Sequence, residues 1–180
     1  MKSGIRIFAV AGGVADKSGK VLAVGVIGRG DIMEGVCSFH IRKDGFDSTS
    51  GIIKAVRKSR FREQIKMIAL NGNVLAGLNV VDTSMLCKTL SLPILSFTRK
   101  RPRKSMLLKA LRSVRLYAER KDRLESSYSE SKLIKSSGFY VRCTGTSELS
   151  SQIADSAANM LRMAHIIARG VTSGESKGRM

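Results

Sequence analysis

The stretch that decides the fold is residues 5–41, IRIFAVAGGVADKSGKVLAVGVIGRGDIMEGVCSFHI. Short apolar runs alternate in it with turn signals, first at Asp16 to Gly19 and then at Gly30-Asp31. Apolar runs of this length predict strands rather than helices. We therefore expect three strands, Ile5–Ala11, Lys20–Arg29 and Met33–Ile41. Because their connections are short, the strands should form an antiparallel three-strand meander.

Beyond residue 44 the pattern changes to alternating helices and strands. Asp47, Ser48 and Thr49 are good N-caps, and the apolar positions after them predict a helix to about Arg60. The following segments are predicted to be a strand at Gln64–Leu70, a helix from Asp82 to about Leu90 and a strand at Pro93–Thr98. This order predicts an α/β protein, with a mixed sheet and helices on both faces. It resembles the RNase H-like core.

The C-terminal half is predicted to be mostly helical. Pro102 is typical of a first helical turn and predicts one helix of about twenty residues. One side of this helix carries the apolar stripe Leu107, Ala110, Leu111, Val114 and Ala118, and the other carries Lys109, Arg112, Arg120 and Arg123. Ser126–Ser137 is predicted to be a loop, Phe139–Cys143 a last strand, and Ser147 the cap of a final helix that ends at Gly170. Residues 1–180 have no internal repeat or linker, so we expect a single domain.

The composition is that of a folded, strongly basic chain. Its 180 residues include 32 Lys and Arg against 14 Asp and Glu, a formal net charge of +18, and 43% are hydrophobic, which suffices for a core. No run of about 18 apolar residues occurs. We therefore expect no membrane association and a cytoplasmic location. The three cysteines, Cys37, Cys87 and Cys143, lack the spacing of a zinc site.

The positive charge is clustered in two segments. Residues 99–123 contain eleven basic and two acidic residues, and residues 54–66 contain six basic residues and one acidic residue. Clustering favours a surface that binds nucleic acid, DNA or RNA, without a cofactor, over a merely solvated charged face. The candidate nucleic-acid-binding residues are Arg29, Lys58, Arg60, Arg99, Lys100, Arg101, Arg103, Lys109, Arg112, Arg120 and Arg123. The sequence specifies neither a base preference nor an oligomeric state.

Seven short motifs occur in order along the chain, KSGIRIFAV, GRGDIMEGV, RKDGFDST, NGNVLAGLNVVD, LPILSF, RKRP and RMAHIIARGVTSGESKGR. Together they resemble a largely archaeal family of uncharacterised proteins related to endonuclease V. The resemblance implies an endonuclease V-like domain with an RNase H-like fold, and a nuclease that uses Mg²⁺ or Mn²⁺ held by acidic residues. It also implies acids after the first strand and at the end of the fourth strand, where this chain has Ala11, Gly12 and Asn71.

The remaining polar residues offer few other metal ligands. Asp82 follows an apolar stretch and is a candidate ligand, although an N-cap is its favoured role. Asp44 and Asp47 are close enough in sequence to share a cation, but such aspartates more often form turns and caps. Asn71 offers an amide oxygen. His165 is a candidate for positioning a phosphate or a water, with a half-buried structural histidine as the alternative.

Missing acids and clustered charge together favour a nucleic-acid-binding protein of endonuclease V-like fold whose metal site has degenerated. One alternative is an active Mg²⁺-dependent endonuclease that acts on DNA or RNA. Its metal ligands would be Asp82, Asn71 and Asp44, and its catalytic residues Asp82 and His165. The other alternative is an assembly protein whose basic face docks an acidic protein. Metal-dependent cleavage distinguishes the first alternative from the favoured hypothesis.

Overall fold

The computed structural model describes residues 4–176, and the ends of the predicted 1–180 domain lie outside this range. The strands of this part are β1 Ile7–Ala15, β2 Lys20–Arg29, β3 Ile32–Arg42, β4 Met67–Leu70, β5 Val74–Leu75, β6 Asn79–Val80, β7 Ile94–Thr98, β8 Ser131–Ser136 and β9 Phe139–Thr144. Its helices are α1 Ser48–Lys58, α2 Thr83–Leu90, α3 Lys104–Leu111, α4 Tyr117–Ser129 and α5 Ser151–Ser173.

Seven strands form one mixed sheet in the order β3-β2-β1-β4-β7-β9-β8. The antiparallel meander of β1, β2 and β3 is confirmed. Strand β1 pairs in parallel with β4, from Ile7 with Met67 to Val10 with Leu70, and β4 pairs in parallel with β7. The carboxyl ends of these three parallel strands lie at one end of the sheet, perpendicular to the strands, which we call the carboxyl edge. The opposite end of the sheet is the amino edge.

Helices cover both faces of this sheet, which confirms the predicted fold class. On one face, Phe8 of β1 packs in a cluster with Ile52 of α1 and Leu86 of α2. On the other face, Ile7 and Ala9 lie in the cluster covered by α5. Burying a large apolar side chain completely stabilises a fold by about 1.5–3 kcal/mol. The alternation of β1 between two apolar layers therefore sets its register.

Strand β1 extends further than predicted, through Gly12 and Gly13 to Ala15. Its pairing with β2 shifts register between Gly12 and Ala15, which accommodates the extra residues. At Gly13 the strand touches α5, since an added Cβ would lie 2.6 Å from Oγ1 of Thr172 and 2.7 Å from the carbonyl of Ala168. The N–H of the next residue donates to the same Thr172 hydroxyl at 2.9 Å. Contact with α5 at Gly13 and Val14 therefore holds the last residues of β1 in the sheet.

The single long helix predicted after Pro102 is wrong, because the segment folds as α3 and α4. The break lies just before α4, where Leu116 has a left-handed φ of 60°. In a continuous helix, Leu111 and Leu124 would point about 140° apart, at 100° per residue. The break lets both of these buried leucines pack against Val80 of β6. The β5–β6 hairpin that carries Val80 was not predicted.

The loop predicted at Ser126–Ser137 is also wrong, since this segment contains the end of α4 and all of β8. Strand β8 pairs with β9 from Ser131 with Thr144 to Ser136 with Phe139. The predicted last strand, β9, is confirmed. A serine-rich strand is stable here because it forms a hairpin with β9, which also pairs with β7 of the main sheet.

The final helix starts and ends three to four residues later than predicted. Ser150, not Ser147, is the N-cap, and its Oγ accepts a hydrogen bond from the N–H of Ile153 at 3.3 Å. The helix passes through Gly170 and ends at Gly174, which has a left-handed φ of 79°. Within residues 4–176, no helix has both the length and the apolar character needed to cross a membrane.

Substituting two glycines by alanine should change stability in opposite directions. Gly13→Ala places a Cβ in the contact with Thr172 and Ala168 and should destabilise the protein by about 1–3 kcal/mol. Gly170→Ala adds a methyl in open space within α5 and should stabilise it by about 0.5–1 kcal/mol. Urea unfolding followed by circular dichroism measures both. Equal midpoints for the two variants would contradict the contact between β1 and α5.

Candidate functional site

The carboxyl edge is where the resemblance to endonuclease V implies metal-binding acids. Val10 of β1 and Leu70 of β4 are register partners, so the residues that follow them, Ala11 and Asn71, lie on neighbouring strands at this edge. Ala11 is buried and Asn71 is exposed to solvent. Neither residue brings a carboxylate to this edge.

Apolar side chains pack beside Gly12, in the second half of β1. A Cβ at Gly12 would lie 3.5 Å from Cδ1 of Leu75 in the β5–β6 hairpin and 3.5 Å from Cγ1 of Val21 in β2. On the other face, α5 touches the neighbouring Gly13. A hard divalent cation requires several oxygen ligands. Methyl groups occupy the space next to Gly12 instead.

Asp82 is an N-cap, as favoured from the sequence. Its Oδ1 accepts a 2.8 Å hydrogen bond from the N–H of Met85 in the first turn of α2, while its own N–H donates to Oγ1 of Thr49 in α1. The carboxylate also acts on Arg123 of α4. Burial lowers the pKa of the Arg123 guanidinium, and the negative charge of Asp82 opposes that shift. Asp82 therefore joins three helices.

The two aspartates before α1 fasten their loop to the β5–β6 hairpin. Asp44, with a left-handed φ of 52°, accepts a 2.7 Å hydrogen bond at Oδ1 from the N–H of Leu78. Asp47 accepts at Oδ1 from Nδ2 of Asn79 at 2.8 Å and from the N–H of Arg42 at 3.2 Å. Although Asp47 immediately precedes α1, its side chain makes no cap hydrogen bond. Both aspartates thus stabilise the loop between β3 and α1 by accepting hydrogen bonds.

The residues present do not fit a divalent metal ion. Among residues 4–176, no group of three or more His, Cys, Asp and Glu side chains could hold one. The predicted ligands Asp44 and Asp82 each accept a hydrogen bond from a different backbone N–H, and Asn71 contributes no charge. An octahedral Mg²⁺ site needs converging oxygens, and these side chains do not supply them.

His165 and Asp82 lie on opposite sides of the sheet. His165 is half-buried on α5, which covers one face, whereas Asp82 begins α2, which packs on the other. Burial, together with the charge of Arg169, lowers the pKa of the His165 imidazole, so the ring is neutral at pH 7. The two predicted catalytic residues therefore do not form one site.

Exposed basic residues surround the end of β7 at the carboxyl edge. The chain leaves the sheet after Thr98, and an open hollow of about 530 Å³ follows, lined by Lys100, Arg101, Pro102, Arg103 and Met106. Six of the predicted binding residues are exposed here, Arg99, Lys100, Arg101, Arg103, Lys109 and Arg112. We call these six residues the carboxyl-edge surface. No acidic residue lies between the first and the last of them in the sequence.

Arg120 corrects the sequence-based prediction of an exposed basic face, because it is only 3% exposed. Its guanidinium donates to four main-chain carbonyls, those of Arg115 at 2.8 Å, Gly45 at 2.8 Å, Leu78 at 2.7 Å and Asp44 at 2.6 Å. Buried charges are tolerated when hydrogen bonds replace water. The break before α4 turns this residue inward, so Arg120 connects α4 to the β3–α1 loop and to the hairpin.

Arg123 is half-buried on the same helix. The carbon of its guanidinium lies 3.3 Å from the centroid of the Phe46 ring, and Nη1 donates to the Phe46 carbonyl at 3.2 Å. A cation against an aromatic face contributes about 0.5–2 kcal/mol. Arg123 thus also holds the β3–α1 loop, and only part of its guanidinium faces solvent.

The other predicted binding residues lie at the amino edge. Lys58 is exposed at the end of α1, and Arg60 is exposed just after it. Arg29 forms an ion pair with Glu34 at 2.7 Å, and Arg6 forms another with the same carboxylate at 2.6 Å. Apart from Arg120 and Arg123, the predicted nucleic-acid-binding residues therefore fall into two groups at opposite ends of the sheet.

Sequence reasoning missed the partners of this amino-edge group. Arg6 also bonds to Gln64, and its guanidinium carbon lies 5.3 Å from the centroid of Phe61, while that of Arg60 lies 4.8 Å away. Arg6 and Glu34 are 28 residues apart in sequence. No local periodicity predicts this contact, because the pairing of β1, β2 and β3 is what brings Arg6 and Glu34 together.

Three solved structures have this architecture. A protein of unknown function from Archaeoglobus fulgidus has a TM-score of 0.81 and 26% identity, and the match covers 94% of this chain and 99% of that one. Human ENDOV has a TM-score of 0.56 and 12% identity, with 93% and 84% covered. Endonuclease V of Ciona intestinalis, in complex with an inosine-containing DNA, has a TM-score of 0.53 and 8% identity, with 91% and 84% covered. The fold is the RNase H-like fold of endonuclease V.

The family is shown by sequence. The family model described as Endonuclease dU matches residues 3–172, so the chain belongs to that family. A UPF0215 protein from Methanothermobacter thermautotrophicus is 35% identical in an alignment of 171 positions that covers 88% of this chain and 82% of the relative. One from Methanosarcina mazei is 31% identical over 171 residues, with 89% and 87% covered. The resemblance to a largely archaeal family related to endonuclease V is confirmed.

Replacing Arg120 by methionine should destabilise the fold strongly. Arg120→Met keeps an unbranched side chain but leaves four buried carbonyls without their donor, so we expect a loss of about 3–5 kcal/mol in the free energy of unfolding. Lys109→Ala removes an exposed cation and should change it by less than about 0.5 kcal/mol. Urea unfolding provides the comparison. Similar midpoints would refute a structural role for Arg120.

Lowering the pH should protonate Glu34 and break its ion pairs with Arg6 and Arg29. Hydrogen bonds from Arg6 and Arg29 lower the pKa of the Glu34 carboxyl from 4.5 to about 2. The folded protein therefore holds this proton less tightly than the unfolded chain. The stabilisation is complete above pH 4.5 and is lost as the pH falls towards 2.

Glu34→Gln should therefore lower stability at pH 7 and flatten the pH dependence of the unfolding free energy between pH 4.5 and 2. The measurement is a series of urea unfolding curves across this pH range. Glu148→Gln, at an exposed position, is the control and should keep the wild-type slope. An unchanged slope in Glu34→Gln would mean that these ion pairs do not contribute.

Proposed function

We propose that the protein binds nucleic acid through the carboxyl-edge surface and has lost the metal-dependent nuclease chemistry that the fold supports in endonuclease V. The observation that carries the proposal is the placement of six exposed cations at the carboxyl edge, next to strand β1, whose residues Ile7–Ala15 include no carboxylate. In open α/β sheets, ligands bind at the carboxyl ends of the strands. A polyanion is the ligand that this edge attracts.

The charge distribution supports a polyanion over an acidic protein. Arginine forms bidentate hydrogen bonds with phosphate, and three of the six residues, Arg99, Arg101 and Arg103, are closely spaced in one exposed loop. The loop opens onto the hollow that Pro102 and Met106 also line. Regularly spaced phosphates can contact several of these guanidinium groups at once.

The loss of nuclease chemistry rests on the uncharged residues in the second half of β1. Two-metal or one-metal hydrolysis needs carboxylates to hold the cation and offset charge in the transition state. The chain has Ala11 and Gly12 after the apolar run of β1, Leu75 packs over Gly12, and α5 touches Gly13. Asn71 at the neighbouring strand end is uncharged. These residues support binding without hydrolysis.

The affinity for nucleic acid should fall linearly with salt on a double-logarithmic scale. Arg99→Ala/Arg101→Ala removes two exposed cations of the carboxyl-edge surface, so the slope should decrease in magnitude by about 2. Fluorescence anisotropy with labelled single-stranded DNA, duplex DNA and RNA measures the slope. Arg62→Ala/Lys66→Ala removes the same charge from exposed positions at the amino edge and should keep the wild-type slope. Undetectable or salt-independent binding by the wild type would reject the proposal.

A cleavage assay tests the second half of the proposal. Incubation with Mg²⁺ or Mn²⁺ and strands that contain deoxyuridine or inosine should leave the strands intact. If cleavage occurs, Asp82→Asn tests the active alternative, because asparagine keeps the cap acceptor of α2 and removes only the charge. Cleavage lost in Asp82→Asn would establish an active nuclease with Asp82 in its site.

A further inference from the structure

A second candidate site is a cleft between β3 and α1. It has a volume of about 360 Å³, and none of the six residues of the carboxyl-edge surface lines it. Strand β3 is the outermost strand on one side of the sheet, so the cleft opens to solvent alongside this strand. Clefts of about 300–1,000 Å³ are the usual size for small-molecule binding.

Small residues on the helix create this space. Gly51 and Ala55 of α1 lie along the cleft, one turn apart. A Cβ at Gly51 would be 3.1 Å from Cε2 of Phe39 in β3, so the glycine lets the aromatic ring lie against the helix backbone. Phe39 is partly buried and lines the cleft. The floor is therefore apolar and includes an aromatic ring.

The rim of the cleft is basic. Lys54 and Lys58 are four residues apart on α1, so they project from the same side of the helix, and both are exposed. The hydroxyl-bearing Ser59 lies beside them at the end of the helix. The only acidic lining residue, Asp47, already accepts hydrogen bonds from Asn79 and the Arg42 main chain. The cleft thus carries a net positive charge over an apolar floor.

We propose that this cleft binds one nucleotide unit, with the base against Phe39 and the phosphate between Lys54 and Lys58. An aromatic face stacks on any base, and two ammonium groups complement a phosphate dianion. The unit is either a free nucleoside monophosphate or the phosphorylated end of a strand, since both present the same base and phosphate. The inference does not depend on the proposed function of the carboxyl-edge surface.

Isothermal titration calorimetry on the full chain tests the cleft with AMP, UMP, adenosine and inorganic phosphate as separate probes. We expect both nucleotides to bind with dissociation constants below about 1 mM, and adenosine and phosphate to bind at least about tenfold more weakly. A 5′-phosphorylated oligonucleotide that competes with AMP better than its unphosphorylated form identifies a strand end. Competition by neither oligonucleotide identifies the free nucleotide.

Matched variants locate the binding. Lys54→Ala/Lys58→Ala should weaken AMP binding at least about tenfold, whereas Arg57→Ala/Arg62→Ala, with the same loss of charge at exposed positions outside the cleft, should change it less than about twofold. Ala55→Leu fills the cleft without altering charge and should abolish binding. Arg99→Ala/Arg101→Ala should leave AMP binding unchanged, even if it weakens the binding of long strands.

Three results would overturn the inference. The first is that the wild type binds no nucleotide at a ligand concentration of about 10 mM. A dissociation constant above that concentration is too weak for a specific site. The second is unchanged AMP binding in both Lys54→Ala/Lys58→Ala and Ala55→Leu, with circular dichroism showing that both are folded. The third is AMP binding lost in Arg99→Ala/Arg101→Ala, which would assign the nucleotide to the carboxyl-edge surface instead.

Discussion

The structure depends on the burial of β1 between two helical layers. Its side chains alternate between the cluster under α1 and α2 and the cluster under α5, while its backbone pairs with β2 on one side and β4 on the other. A shift by one residue would exchange the two faces of the strand, so the register is strongly determined. That register places Ala11 beside the end of β4 and brings Gly13 against α5. The chemistry available at the carboxyl edge follows from this packing.

The basic residues divide into those that build the fold and those that remain available to a partner. Arg120 and Arg123 lie in the most basic part of the chain, yet they hold the β3–α1 loop through carbonyls and the ring of Phe46. Arg6 and Arg29 are similarly committed to Glu34. A buried or half-buried arginine stabilises by replacing hydration with protein acceptors. The net charge of +18 therefore overstates the charge that a nucleic acid meets.

The two proposed sites lie on different parts of the same scaffold. The carboxyl-edge surface is an exposed loop and helix at the ends of the parallel strands, suited to the spaced phosphates of a strand. The cleft between β3 and α1 is smaller and has an apolar floor around Phe39, suited to one base and one phosphate. The two sites differ in their lining, since the hollow at the carboxyl edge is lined mainly by basic side chains and the cleft has an aromatic ring in its floor.

Local patterns sufficed for the meander, for the α/β class with helices on both faces and for Asp82 as an N-cap, since alternation and capping act over a few residues. The same patterns, applied to the segment after Pro102, predicted a single helix, and they predicted a loop where β8 pairs with β9. The sequence by itself determined the clustered charge and the uncharged residues Ala11, Gly12 and Asn71. Only the tertiary structure decided that Arg120 is buried, that His165 and Asp82 lie on opposite faces, and that a cleft separates β3 from α1. The first two outcomes depend on contacts between residues far apart in sequence, and the third on how α1 packs against β3, and no local pattern encodes either.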